Sequence, residues 1–142
     1  MSDDLDAKMA TARAHAQAEG DGDMEGTMNT LGADPVYELL PIGRIFRGRD
    51  AARAYYEHFF ANFAPRIAGY TMRAEWVTDE GLGQEYQIFV DGPEGRRRFD
   101  IIGILLFGEG GTLAGERLYA SDELFTMMVG PVLDATEPVP VE

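Results

Sequence analysis

The sequence predicts an α+β fold: a cone-shaped, curved antiparallel (mixed) sheet packed against three N-terminal helices, with a short C-terminal helix. Helical periodicity recurs three times before residue 65, strands separated by turns fill residues 70–120, and a capped apolar segment follows at 121–130. A chain of 142 residues that is 45% hydrophobic can bury one core. We expect a single domain over residues 1–130 and a disordered, acidic, proline-rich tail over residues 131–142.

Three segments in the first half of the chain carry the helical pattern. Residues 2–19 repeat apolar side chains at helical spacing, and residues 23–31 form a second, shorter segment. The clearest helix covers residues 50–64, which Asp50 would cap and Pro65 would end. Its aromatic stripe follows the i, i+3, i+4, i+7 pattern: Ala52, Tyr55, Tyr56, Phe59, Phe60 and Phe63. We expect this stripe to face the core, with only its inner edge touching a ligand.

Alternating apolar segments bounded by glycine, proline and aspartate predict the sheet. The strands are expected at residues 36–40, 70–78, 82–90, 97–107 and 112–120. A turn at residues 32–35 precedes the first of them, since Pro35 restricts the residue before it. Ser121 is the expected N-cap of the last helix, and Gly130-Pro131 ends it.

The composition excludes several classes of function. Twelve basic residues against 25 acidic ones give a net charge of −13, which disfavours nucleic acid and anionic membrane surfaces as partners. The absence of cysteine excludes disulfides, thiolate metal sites and cysteine nucleophiles. The longest apolar run, residues 101–107, is too short to cross a bilayer, and no basic leader opens the chain. We therefore expect a cytoplasmic protein.

No cofactor or metal motif is visible in the sequence. Phosphate-loop, dinucleotide and nucleophile-elbow patterns are all missing. His15 and His58 are far apart, without a third ligand at metal spacing. Asp21 opens a segment like a calcium loop, but the twelfth position is Gly32 instead of glutamate. We expect neither a cofactor nor a metal site.

Two groups of residues resemble a known superfamily. Asp34-Pro35-Val36-Tyr37 and Gly48-Arg49-Asp50-Ala51-Ala52 resemble the strand-to-helix signature of the nuclear transport factor 2-like superfamily. Glu116-x-x-Tyr119, followed by Asp122-x-Leu124, is similar to the SnoaL-like polyketide cyclase and ketosteroid isomerase-like branch. The resemblance implies a cone that encloses an apolar pocket, in a homodimer packed through its sheets. The superfamily includes isomerases, dehydratases, epoxide hydrolases, cyclases and noncatalytic proteins, so the fold alone does not define the function.

Two specific activities of the superfamily do not transfer to this chain. Where steroid isomerases carry their base, tyrosine and protonated aspartate, this sequence has Leu39, a position near Ala16 and a position near Gly103. Limonene epoxide hydrolases share Tyr37. Their arginine and two aspartates, however, correspond to the positions of Glu85, Gln87 and Leu118.

The same comparisons imply which side chains face the pocket. They place Glu85, Gln87 and Phe89 inward on one strand and Glu116 and Leu118 inward on another, with Tyr37 and Leu39 on the first strand. A carboxyl group among apolar side chains has a raised pKa, which suits a general acid or base near neutral pH. The catalytic candidates are Glu116, Glu85, Asp100 and Tyr37.

Structural alternatives remain open for each carboxylate. Glu116 could pair with Arg73 or Arg98, and Glu85 could likewise be structural. Asp100 faces the pocket or the opposite side depending on a one-residue choice of hairpin register. If outward, Asp100 is a cross-strand salt-bridge partner. If inward beside Glu116 and Tyr37, it would allow an epoxide hydrolase with a rearranged triad.

The remaining candidates would bind a small hydrophobic molecule. They are Leu39, Tyr55, His58, Phe59, Trp76, Gln87, Phe89, Leu118 and Phe125. Aromatic side chains can stack on a ligand, although such residues also fill cores and dimer contacts. The predicted function is a cofactor-free lyase, dehydratase, isomerase or cyclase that transfers protons on an oxygenated hydrophobic compound. The alternative is a noncatalytic binding protein, in which arginine neutralises every inward carboxylate.

Overall fold

A mixed sheet packs against N-terminal helices in the computed structural model, which describes residues 3–141. The helices are α1 (Asp3–Asp21), α2 (Met24–Asn29), α3 (Arg49–His58) and α4 (Asp122–Val129). The strands are β1 (Leu31–Leu40), β2 (Arg44–Arg47), β3 (Ile67–Val77), β4 (Gly81–Gly92), β5 (Gly95–Phe107), β6 (Leu113–Tyr119) and β7 (Glu137–Pro138). The predicted α+β class is confirmed.

The strand order in the sheet is β3-β4-β5-β6-β1-β2-β7. All neighbours are antiparallel except β1 and β6, which run parallel and join the N-terminal part of the chain to the last long strand. Register shifts interrupt the β3–β4 and β1–β6 pairs, and irregularities of this kind bend a sheet. The helices cover the inner face of this sheet, where the core lies.

The helices differ from expectation mainly at their ends. Ser2, which the sequence places in the first helix, lies outside the described residues. Asp23 caps α2 by accepting a hydrogen bond from the backbone N–H of Gly26. Asp50 is not the N-cap of α3, because the helix begins one residue earlier and Gly48 takes that place with φ of 92°. The predicted single helix then changes to a π-helical turn at Phe59–Phe63.

The first strand is longer than the sequence indicates. The predicted turn at residues 32–35 is part of β1, where an irregularity between Leu31 and Val36 accommodates it. Gly115 of β6 lies opposite this irregularity with φ of 132°, and a Cβ there would overlap the carbonyl oxygen of Val36. The strand β2 was not expected. It has only four residues, and such a segment gives little periodic signal.

The segment after α4 is ordered rather than disordered. Residues 130–135 form a 3-10 helix that buries Val132, and β7 pairs with β2. Arg44 donates through Nε to Thr136 Oγ1 at 2.9 Å, which attaches the segment to the sheet. Apolar burial and backbone pairing outweigh the proline-rich composition here. Glu142 lies outside the described residues.

The last helix is confirmed. Ser121 caps α4 by accepting from the backbone N–H of Leu124 at 3.2 Å, and the helix ends at Gly130. Among residues 3–141, no helix combines the length and the apolar character that a membrane span requires.

Candidate functional site

A cavity of about 360 Å³ lies between the helices and the inner face of the sheet. Strands β3 to β6 form one wall, α1 and the α3–π segment form the other, and Met128 of α4 contributes from one end. Tyr55, Phe59 and Phe63 supply the inner edge of the predicted aromatic stripe. The opening is lined by the exposed side chains of Tyr70 and Met72.

The facing of β4 differs from the sequence expectation. Gln84, Tyr86 and Ile88 line the cavity. Because side chains alternate along a strand, Glu85, Gln87 and Phe89 lie on the opposite, outer face of the sheet. The expectation was wrong by one residue, and a shift of one residue reverses the facing of a whole strand.

Two of the four predicted catalytic residues therefore lie on the outer face of the sheet, and a third, Tyr37, is buried in the core behind the cavity. Glu85 is 41% exposed and pairs with Arg73 at 3.9 Å. Asp100 lies opposite Gln87 on the outer face, is 62% exposed, and contacts Arg98 of the same strand at 3.4 Å. Asp100 is thus an outward ion-pair partner along its own strand, and it does not approach Glu116.

Glu116 of β6 lies in the cavity, as predicted. Its side chain is partly buried, and it makes no hydrogen bond or ion pair within residues 3–141. Neither Arg73 nor Arg98 reaches it, since both pair with other carboxylates. Burial and the nearby negative charge of Glu19 raise the pKa of Glu116 to about 8, although His15 opposes the shift. Glu116 is a carboxyl group held largely protonated at neutral pH and directed into an empty space.

His15 and Glu19 of α1 form the other half of the polar cluster. They are four residues apart, so they share one face of the helix, and His15 Nε2 lies 3.3 Å from Glu19 Oε2. The side chain of His15 is 1% exposed, while Glu19 is partly exposed. One nitrogen or oxygen atom from each of His15, Glu19 and Glu116 lies within 4.8 Å of the other two. His15 and Glu19 can therefore share a proton, and Glu116 lies beside this pair without a hydrogen bond to it.

Thr30 determines how the His15 ring is oriented. The Thr30 hydroxyl donates to the carbonyl of Thr27 at 2.7 Å, so its oxygen is left to accept from His15 Nδ1–H, also at 2.7 Å. The hydrogen-bond network thus assigns the proton to Nδ1 in the neutral ring. Nε2 is the nitrogen that faces the cluster and exchanges a proton there.

A pair of buried phenols extends the cluster into the core. The Tyr56 hydroxyl lies 3.1 Å from His15 Nε2, 3.4 Å from Glu19 Oε2 and 2.8 Å from the Tyr37 hydroxyl. Tyr37 is fully buried and reaches the cluster only through Tyr56, so it does not contact a ligand directly. Burial raises the pKa of both phenols well above their usual range, and they remain neutral hydrogen-bonding groups.

The charge state of His15 follows from its neighbours. Burial lowers the pKa of the imidazole, but the hydrogen bond and charge of Glu19, together with the charge of Glu116, raise it above the ordinary value of 6.5 overall. Glu19 and an ionised Glu116 therefore favour the protonated form of His15. Glu116 remains the carboxyl group with no partner in the wall.

Eight of the nine predicted ligand-binding residues fall into three groups. Tyr55, Phe59 and Leu118 line the cavity, which agrees with the sequence analysis. Leu39 and Phe125 are fully buried core residues. The outer face of the sheet carries Trp76, which covers Gly83, together with Gln87 and Phe89.

His58 is a structural residue between two helices. Its Nε2 donates to the backbone carbonyl of Met127 at 2.9 Å, and its Nδ1 accepts from Asn62 Nδ2 at 3.2 Å. The ring also covers Gly130, where a Cβ would overlap it. His58 is not among the residues that line the cavity, because it joins the α3 segment to the end of α4.

The sequence analysis missed His15, Glu19 and Tyr56 as site residues. A usable signal was present, because Ala12, His15 and Glu19 follow the i, i+3, i+7 spacing of a buried helix face. A histidine and a glutamate on the core side of an apolar helix are costly to bury unless they are paired. Their partners come from distant segments, however, and periodicity does not identify such contacts.

The same cluster contains the donor atoms that could surround a cation. Within the described residues, His15, Glu19 and Glu116 offer one nitrogen and two carboxylate oxygens within 4.8 Å. His15 Nε2 is already occupied by its contacts with Glu19 and Tyr56. The arrangement is that of a proton-sharing cluster, and the expected absence of a metal site stays a prediction.

Comparisons with known proteins identify the fold. No protein-family model and no curated protein matches the chain. An NTF-2 like protein of unknown function from Burkholderia xenovorans is 24% identical, with a TM-score of 0.64 over 83% of this chain and 85% of that one. A candidate isomerase from Bacillus subtilis is 16% identical, with a TM-score of 0.68 over 91% and 96% of the two chains.

A de novo designed protein with a curved β-sheet has the same TM-score of 0.68, at 14% identity over 95% of this chain and 99% of the design. These likenesses show the nuclear transport factor 2-like fold. At these identities the likenesses concern the fold and not the function.

Proposed function

We propose that this chain, which has the nuclear transport factor 2-like fold, is a cofactor-free acid/base enzyme. It transfers a proton on a small hydrophobic or aromatic oxygen-bearing compound, as a lyase, dehydratase, isomerase or cyclase. One observation supports this most directly: Glu116 projects into an apolar cavity without a hydrogen-bonding partner in residues 3–141, and its pKa is raised to about 8. A carboxyl group tuned near the working pH can both give and take a proton.

The other polar groups of the cluster have supporting roles in this proposal. The charge of a protonated His15 favours the ionised form of Glu116, the form that takes a proton from the substrate. Glu19 stabilises the imidazolium at 3.3 Å, and Thr30 holds the opposite ring nitrogen. Tyr56 and Tyr37 supply neutral hydroxyls behind His15 and keep its orientation fixed. The apolar wall excludes water and strengthens these interactions.

The alternative functions fit the cluster less well. A purely binding protein would have each inward carboxylate neutralised by arginine, whereas Glu116 has no such partner among the described residues. An epoxide hydrolase with a rearranged triad would need Asp100 beside Glu116, and Asp100 lies on the outer face of the sheet. The acid/base proposal needs only groups that already meet in the cavity.

The test uses 2-tetralone, a small aromatic ketone whose protons next to the carbonyl can exchange. We expect the wild-type protein to accelerate deuterium incorporation from heavy water, measured by NMR. Glu116→Gln should lower the enzymatic rate by about 100-fold or more, the usual loss when a general base is removed. Glu85→Gln makes the same chemical change on the outer face and should leave the rate within about twofold.

Two results would contradict the proposal. A folded Glu116→Gln variant that retains the wild-type rate would remove Glu116 from the mechanism. A wild-type rate equal to that of buffer would reject proton transfer on carbonyl compounds of this size. Circular dichroism of each variant establishes that its fold is intact.

A further inference from the structure

The cavity has more acidic than basic side chains. Three carboxyl groups, those of Glu19, Glu75 and Glu116, stand against two basic side chains, Arg13 and His15, so a negative charge is left over whenever Glu116 is ionised. An apolar cavity magnifies such an imbalance because the local dielectric is low. The ligand must compensate for whatever charge the wall leaves unpaired.

Both basic side chains are already engaged by the wall. Arg13 Nη2 contacts Glu75 Oε1 at 3.3 Å near the opening, where Gln84 also donates to Glu75 at 2.8 Å. His15 is paired with Glu19 deeper in the cavity. An anionic ligand would therefore lose its hydration without gaining a free cation, which is unfavourable.

Glu116 is the carboxyl group that remains, and it shares the cavity with several aromatic rings. Tyr55, Phe59, Tyr70 and Tyr86 line the same cavity. The faces of aromatic rings attract cations, and they do so more strongly in a desolvated site. A carboxylate together with several aromatic rings is an arrangement that suits an organic ammonium ion.

We propose that the cavity selects hydrophobic substrates carrying a protonated amine, which lies between Glu116 and the aromatic wall, and that it rejects carboxylates and phosphates. This inference rests on the cavity and the acidic residue of the proposed function, but it concerns binding and does not require turnover.

Ligand binding should then be linked to proton release. Glu116 has a pKa of about 8 in the free protein, and a nearby ammonium group favours its ionised form. Binding converts Glu116 into a base at the moment when a substrate is present. The titratable or charged groups that act on Glu116 or line the cavity with it are His15, Glu19, Arg13, Glu75, Tyr37, Tyr55, Tyr56, Tyr70 and Tyr86.

Three probes with one ring system test the selectivity. They are 2-aminotetralin, which is cationic, 2-tetralol, which is neutral, and tetralin-2-carboxylate, which is anionic. Isothermal titration calorimetry of the full chain at pH 8 should give the tightest binding for the amine and no detectable binding for the carboxylate. Between pH 6 and 8 the amine affinity should rise by about tenfold per pH unit at most, since each unit below the pKa of Glu116 leaves about tenfold less carboxylate. The alcohol affinity should change little.

Variants determine whether Glu116 is responsible. Glu116→Gln should lower the amine affinity at pH 8 by about tenfold or more and leave the alcohol affinity within about twofold. Glu85→Gln should change neither. Equal binding of the amine and the carboxylate would overturn the inference, as would an unchanged amine preference in Glu116→Gln or no binding by any probe. Amine binding without deuterium exchange on 2-tetralone would contradict the proposed catalysis and leave the charge selectivity standing.

Discussion

Glu116 keeps an ionisable group at a position where an uncharged side chain would be more stable. Its pKa in the folded protein, about 8, exceeds the ordinary value of 4.5, so the folded state holds a proton that the unfolded chain releases. Between these two values stability falls as the pH rises. His15, also with a raised pKa, contributes stability below pH 6.5 that is lost as its folded-state pKa is passed, which is the same direction.

Wild-type protein should therefore lose stability between pH 5 and pH 8, by at most about 1.4 kcal/mol per pH unit from Glu116. Glu116→Gln removes this dependence and leaves the smaller contribution of His15. Urea denaturation at pH 5, 6.5 and 8 measures the difference, with Glu85→Gln as the matched control that should follow wild type. If the free energy of unfolding had the same pH dependence in Glu116→Gln as in wild type, the prediction that Glu116 is desolvated in the folded protein would be wrong.

The sequence predicted part of the candidate site. Glu116, Tyr55, Phe59 and Leu118 could be placed in the cavity from strand alternation, helical spacing and the resemblance. The facing of Glu85 and its neighbours could not, because hairpin register depends on turn geometry and on the opposing strand. The pairing of His15 with Tyr56 joins segments 41 residues apart, which no local pattern encodes.

The parallel β1–β6 pair joins the N-terminal part of the chain to the last long strand. The helices α1 and α3 and the strands β3, β4 and β5 were predicted well because each repeats its own periodicity over ten or more residues. The sequence predicts a turn at the irregularity in β1, because Pro35 and its neighbours are typical turn residues. Tertiary pairing with β6 keeps this segment extended, and the pairing depends on Gly115 lying against the backbone of Val36.

Gly115→Ala should consequently disrupt the parallel pair. The added Cβ would overlap the backbone of Val36, and φ of 132° is unfavourable for alanine. We expect a loss of about 3 kcal/mol or more in the free energy of unfolding, as for strained and overpacked positions. Gly110→Ala is the control: its φ is 63° with open space around it, so only about 1–2 kcal/mol should be lost. Equal losses in both variants, measured by chemical denaturation, would contradict this role of Gly115.

The two faces of the sheet differ in what their side chains form. The inner face forms the cavity, while the outer face exposes Trp76 and Tyr119, each 40% accessible. Arg117 lies on that outer face opposite Ile104, and its buried Nε has no hydrogen-bond partner in the described residues. The exposed aromatic side chains of this face, together with the resemblance to the superfamily, lead us to propose that the outer face packs against a second copy of the chain.

Sedimentation velocity should then give the mass of a homodimer. Tyr119→Glu places a charge in the proposed interface and should shift the protein to monomers, since unpaired charges are costly to desolvate. Tyr70→Glu makes the same change at a more exposed tyrosine, at the cavity opening, and should leave the dimer intact. A monomeric wild type, or a dimeric Tyr119→Glu variant, would contradict the proposal.

The single tryptophan of this chain lies across the sheet from the cavity. Its emission therefore senses what covers the outer surface, whereas the phenol rings of Tyr55 and Tyr86 sense what enters the interior. When the tryptophan is excited selectively, its fluorescence should not change as a ligand binds in the cavity. The indole of Trp76 is therefore a probe of assembly, and the phenols of Tyr55 and Tyr86 are probes of ligand binding in the cavity.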